Sequence, residues 1–241
     1  YNSGIVLNCQ VKDSIVRPET IAGGVCSQNT GKILYCSIEG TGSISSSSDN
    51  PYAGGIAGYN KGIIQYCSNA VTVTASSYAG GIAGYNEETG NISSCYSVGA
   101  VKNAKNIGGV VGYNVGIIDR LFYNKDIAKR PGSYVGVDKQ VPASTTCKKF
   151  DTEDFQSGMV TYLLNGSTSG ADVVWRQNID QGTTDTYPVL DSSHNIVYQV
   201  SDDVYSNTND DPCKAGHDMK AYTAKDATCI SEGNKAYWVC N

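Results

Sequence analysis

The side chains best suited to hold a metal gather near the end of the chain. Cys213 and His217 are separated by three residues, and Cys229 and Cys240 follow. Thiolates and imidazoles are the ligands of closed tetrahedral sites, so this quartet could supply the four N/S ligands of a structural zinc. Four protein ligands leave no open position for a substrate, so such a zinc would hold structure and not catalyse. The plain alternative is a tail whose cysteines bridge in pairs or stay free. No other cofactor is expected.

Catalytic chemistry has weaker support. The two histidines are His194 and His217, and neither comes with a serine and a carboxylate that can be nominated as a triad. Acid/base cleavage of a glycosidic bond needs two carboxylates facing each other across it. The first 125 residues hold Asp13, Glu19, Glu39, Asp49, Glu87, Glu88 and Asp119, at points of the chain that do not correspond to one another. The expectation is a non-catalytic protein. Tyr59, Tyr85 and Tyr113 are candidates for a different chemistry, stacking of sugar rings on aromatic faces. A ladder of half-buried rings accounts for the same residues without a ligand.

The elements that must position these side chains are written in a repeat. Asn2, Asn29, Asn60, Asn86 and Asn114 each precede a glycine and follow one another at steps of 27, 31, 26 and 28 residues. The glycines are Gly4, Gly31, Gly62, Gly90 and Gly116, and five residues later come Cys9, Cys36, Cys67, Cys95 and Leu121. Upstream stand the pairs Gly23-Gly24, Gly54-Gly55, Gly80-Gly81 and Gly108-Gly109. A period near 28 with many β-branched residues and no helical stripe predicts one coil of a β-solenoid per repeat. Val6, Ile33, Ile64, Ile92 and Ile118 form an apolar column three residues before the Cys/Leu column. Strict alternation would send the two columns to opposite faces. A corner or bulge between them would let both point inward. Stacked coils lie about 4.8 Å apart, so the asparagines can chain their amides and the tyrosines can stack. Because Leu121 occupies the cysteine column, that column reads as core and not as a ligand set or a disulfide framework.

The pattern Gly-Gly-Ile-Ala-Gly-Tyr-Asn-x-Gly-x-Ile-x-x-Cys, clearest at residues 54–67, resembles the GLUG motif of large bacterial cell-surface proteins. These include adhesin-like proteins and non-catalytic parts of some immunoglobulin A peptidases. The resemblance covers residues 1 to about 125 and is least regular at 22–37, where Cys26-Ser27-Gln28 replaces Ala-Gly-Tyr. It implies an extracellular, cell-surface location and a role in structural display or adhesion. Partners would be neighbouring domains of the same chain and a host-surface protein or glycan. Two alternatives are a non-catalytic spacer of an extracellular peptidase and a carbohydrate-binding module using the tyrosine face.

The fold expected is mainly β: a short parallel β-solenoid of four to five coils over 1–125, a small mixed α/β capping segment over 126–200, a linker at 201–212, and a truncated Cys/His module at 213–241. A helix is expected at about 152–165, capped by Asp151 or Thr152 and stopped by Asn165-Gly166. Its apolar stripe of Phe155, Met159, Tyr162 and Leu163 would plug the open end of the solenoid. The run from Phe155 through Trp175 to Tyr187-Pro188 is similar to a segment that often follows such repeats. The stretch from Ala227 to Cys240 is similar to a small tandem module that typically ends in Cys-x-x-Cys. The chain opens inside a repeat and closes one residue after Cys240, which reads as a piece of a longer secreted protein.

Composition narrows the partners. Charged residues make up 17% of the chain and the net charge is −5, with no basic patch to hold phosphates, so nucleic acid is not expected. No run of about 18 apolar residues is present to span a membrane.

Overall fold

The structure, a computed structural model, describes residues 1–48, 51–128, 131–180 and 184–209 in full, and the backbone alone of 219–222 and 237–240. Up to Phe150 the chain winds into a parallel β-solenoid of about five turns. We number the rungs by the asparagine column, with Asn2 in rung 1, Asn29 in rung 2, Asn60 in rung 3, Asn86 in rung 4 and Asn114 in rung 5. The columns stack in register. Asn60 pairs with Asn86, Tyr59 with Tyr85 and Ala57 with Ala83 in one sheet, and Ile64 aligns with Ile92 in the next.

The offset between the Ile and Cys columns is resolved by one residue per rung in the left-handed region. These residues are Asn8, Tyr35, Tyr66, Ser94 and Arg120, with φ of 48–54°. That corner turns both flanking columns inward, and Ile33, Cys36, Ile64 and Cys67 are fully buried. A bulky residue at positive φ is costly; here the burial of two apolar columns offsets it on every turn.

Winding continues where the sequence repeat stops. Val135–Asp138 pairs with Val111–Asn114, and Lys148–Phe150 pairs with the strand Ile117–Asn124. The registers put Asp138 beneath Asn114 and Cys147 beneath Leu121, so both columns gain a sixth member in what we call rung 6.

Past the corner, side chains alternate again, and the column facing away from the interior runs Gln10, Ser37, Ser68, Tyr96 and Phe122. It is polar in rungs 1–3 and aromatic in rungs 4 and 5. The aromatic part anchors a second apolar cluster in which Tyr96, Phe122 and Phe150 meet Phe155, Val160, Leu164 and Trp175. Trp175 is fully buried, and its Nε1 donates to the Ser94 carbonyl at 3.0 Å. The Tyr96 hydroxyl donates to the Pro188 carbonyl at 2.6 Å.

The helical stretch differs from the single helix expected. It is two short helices, α1 (Thr152–Gln156) and α2 (Met159–Leu164), separated by Gly158 at φ 88°. That left-handed residue changes the helical register. Phe155, Val160, Thr161 and Leu164 are buried, Met159 and Leu163 of the expected stripe pack half-buried against the same cluster, and Tyr162 turns to the ring of Tyr205. This stripe lies along the outward flank of the later rungs, where Tyr96 and Phe122 receive it, and does not plug the solenoid end. Helix α1 starts with a reciprocal capping box between Asp151 and Asp154, and Asp151 also pairs with Lys125 at 3.2 Å. Asp151→Ala should cost about 1 kcal/mol, the usual worth of an N-cap, read as a shift in urea midpoint without a change of slope. Among the described residues, no helix is long and apolar enough to cross a membrane.

Candidate functional site

Three features of the folded chain could carry function: the amide ladder, the thiol column and the tyrosine face. The ladder is built from the strand that ends each Ala-Gly-Tyr-Asn segment. Asn2, Asn29, Asn60 and Asn86 each donate from Nδ2 to Oδ1 of the next asparagine at 2.8 Å. Asn114 donates to Asp138 Oδ1 at 2.9 Å. Asp138 has no amide hydrogen to donate and its Oδ1 accepts here, so it fixes the orientation of Asn114, and through it every amide above. Asn29, Asn60, Asn86 and Asn114 are fully buried.

The thiol column lies on the inner side of the corner. Cys36, Cys67 and Cys95 each donate from Sγ to the carbonyl two residues earlier, at 3.2, 3.3 and 3.1 Å. Cysteine thus acts as a small apolar residue that also satisfies a corner carbonyl, which Leu121 cannot do. All six described cysteines are free thiols. Burial pushes Cys26 up from 9.0 to about 11, and burial also raises Cys67 and Cys147. Cys36 is raised chiefly by its contact with the Cys67 thiol, then by burial. A thiol that ionises less readily when folded holds its proton longer in the native state. Its contribution is complete below the usual 9.0 and is lost as pH rises toward about 11. Thermal unfolding should therefore show a midpoint that falls above about pH 9, and a flat alkaline profile would contradict the assignment.

The structure brings Tyr59, Tyr85 and Tyr113 together. Their rings stack at 5.1 and 5.0 Å with interplanar angles of 10° and 6°. Tyr52 and Tyr78 form a second stacked pair at 5.4 Å and meet the first column edge-on, Tyr78 lying 5.5 Å from Tyr113. Lys61 Nζ sits 5.6 Å from the Tyr59 ring centre and pairs with Glu87 at 3.4 Å. Partial burial, then Glu87 and Tyr52, push the Tyr59 hydroxyl above its ordinary value. The stacked rings turn their faces toward one another, so this patch offers mainly ring edges and hydroxyls. The second row, Tyr52 and Tyr78, was missed in the sequence reading. Its signal is their shared position two residues before Gly54-Gly55 and Gly80-Gly81, where the first and last pairs carry Ile21 and Asn106.

Of the proposed zinc ligands, Cys213, His217 and Cys229 lie outside the described residues. For Cys240 only the backbone is described, in a strand Tyr237–Cys240 antiparallel to Met219–Tyr222. The other histidine, His194, lies between two carboxylates, with Nε2 3.6 Å from Asp185 and Nδ1 3.6 Å from Asp191. Ser193 Oγ stands 3.4 Å from Nδ1. The set has the composition of a triad, but serine and Asp191 share one ring nitrogen, and the separations exceed good hydrogen-bond lengths. An Asp185–His194–Asp191 clamp on a surface turn describes it better.

Comparison with known proteins agrees with this geometry. Residues 75–102 carry the GLUG motif, a segment that includes Gly80-Gly81, Asn86 and Cys95. No curated protein matches the chain. Among solved structures, a crystal structure of a candidate immunoglobulin A1 protease from Bacteroides ovatus is similar in fold, with a TM-score of 0.50 at 19% identity. The similarity covers 77% of this chain and 57% of that one, so the present chain corresponds to little more than half of that structure.

Proposed function

We propose that this chain is a structural segment of an extracellular bacterial surface protein, a short rod that displays neighbouring domains and supports adhesion. The observation that carries this reading is the unbroken buried amide ladder from Asn29 to Asn114. The repeat spends its recurring polar residues on holding rungs together, which is the chemistry of a scaffold. Antibody raised against the purified chain should label intact cells expressing the full-length gene. Label that appears only after permeabilisation would overturn the reading.

A second reading, a non-catalytic spacer within an extracellular peptidase, is favoured by the fold likeness to the Bacteroides ovatus structure. It predicts that the purified chain leaves immunoglobulin A1 intact while the full-length protein cleaves it. A His-Glu-x-x-His motif elsewhere in the full-length sequence would support this reading, and a full-length protein without peptidase activity would remove it.

A further inference from the structure

The outward column of the solenoid leaves a feature that neither reading uses. Where that column changes from polar to aromatic, the segment 184–194 stands away from the sheet and encloses a cleft of about 830 Å³ over rungs 1–3. The floor carries Ser37 and Ser68, and the cleft is closed at the Tyr96–Pro188 hydrogen bond. Tyr187 and His194 line the facing wall.

The cleft holds an aromatic face of the kind the stacked tyrosine patch lacks. Tyr35 stacks on Tyr66 at 5.2 Å and 12°, which covers one side of its ring. The other side lies toward rung 1, where the corner residue is the shorter Asn8, and both residues line the cleft. Tyr35 is partly exposed and lines the cleft beside Asn8 and Gln10.

Charge narrows the ligand. Among the described residues, no lysine or arginine lines the cleft, whereas Glu39, Asp185 and Asp191 do, so an acidic polymer would be repelled. The carboxylates are also engaged within the protein. Glu39 accepts from Gln10 at 3.0 Å and from Ser37 at 2.9 Å, and stands 3.7 Å from Lys12. Asp185 accepts the Asn178 amide at 2.7 Å and Asp191 the Ser193 amide at 2.9 Å, and His194 lies between them. A groove built to trap a cation would leave its carboxylates free. This one offers hydroxyls, amides and an open ring face, the mixture that suits an uncharged, hydroxyl-rich ring.

We infer that the cleft between rungs 1–3 and residues 184–194 binds a neutral oligosaccharide, with one sugar ring stacked on Tyr35. This extends the surface reading by naming a ligand class, but it is measured on purified protein and fails or stands independently of where the protein is located. The test is binding of the full chain to an array of neutral, sialylated and sulfated glycans, with titration of the best neutral tetrasaccharide. Binding of neutral glycans is expected. Tyr35→Ala should weaken it at least tenfold, Tyr35→Phe should leave it within a few-fold, and Tyr85→Ala should not change it. Circular dichroism on each variant separates loss of the site from loss of the fold. Silence across the neutral glycans, binding that survives Tyr35→Ala in a folded protein, or tighter binding to oligolysine than to any glycan would overturn the assignment. The last result would point to a basic peptide.

Discussion

Replacing Asn86 by alanine should cost about 4 kcal/mol, among the largest losses available to a single polar substitution in this chain. Asn86 accepts from Asn60 and donates to Asn114, both at 2.8 Å, and all three are fully buried. The substitution strands a donor on one side and an acceptor on the other, where water cannot replace the partner. Each orphaned buried group costs about 1–3 kcal/mol. The same change at Asn2, at the exposed end of the ladder, should cost well under half as much, because solvent can take over its bonds. Urea unfolding of both variants tests this. Equal losses at the two positions would mean that the ladder bonds contribute little beyond what water offers.

Gly54→Ala should be at least as damaging, about 4 kcal/mol or more, for a reason of space. A Cβ on Gly54 would lie 2.0 Å from the carbonyl oxygen of Ala57 and 2.6 Å from the Cα of Ala83. Both are backbone atoms of strands held in register by their neighbours, so no rotamer change can relieve the contact. Overpacking of a core costs about 1–3 kcal/mol when side chains can move, and here they cannot. Gly4→Ala is the control, since nothing lies within 4 Å of that Cβ position. It should shift stability by less than about 0.5 kcal/mol. A soluble Gly54→Ala protein with a native unfolding midpoint would show that the two sheets separate more easily than their geometry implies.

The ladders were legible in the sequence because an in-register parallel stack places equivalent residues at equivalent intervals. Asn, Ile, Cys and Tyr columns can therefore be read by alignment alone, and the three-residue offset between Ile and Cys already demanded a corner. Rung 6 was not legible. Asp138 follows Asn114 by 24 residues and Cys147 follows Leu121 by 26, but the columns change residue type there and the glycine pair is gone. The helix stripe holds at Phe155, Met159 and Leu163, which reach the second apolar cluster, but one left-handed glycine, Gly158, resets the register midway and brings in Val160 and Leu164. The change from Gln10, Ser37 and Ser68 to Tyr96 and Phe122 stands in the sequence, yet it has no meaning until the segment around Trp175 and Pro188 is placed against it. Those contacts join residues 81 and 92 positions apart, and periodicity carries no information at that range. The cleft exists only because of them.

The carboxylate beneath the amide ladder gives the stack a grammar of growth. Every asparagine presents an acceptor to the rung before it and a donor to the rung after, so a whole repeat can be inserted between any two of them without altering a single bond type. Beneath Asp138 that rule fails, because an added asparagine would turn its own acceptor oxygen toward a carboxylate. Duplication of repeats is therefore neutral to this hydrogen-bond chain within the stack and penalised past rung 6. The length of the rod is free to drift by whole rungs, while the end that carries the α1–α2 segment stays fixed. Variants of this chain that differ in repeat number should then differ by insertions above Asp138, with the last rung and its flanking segment unchanged.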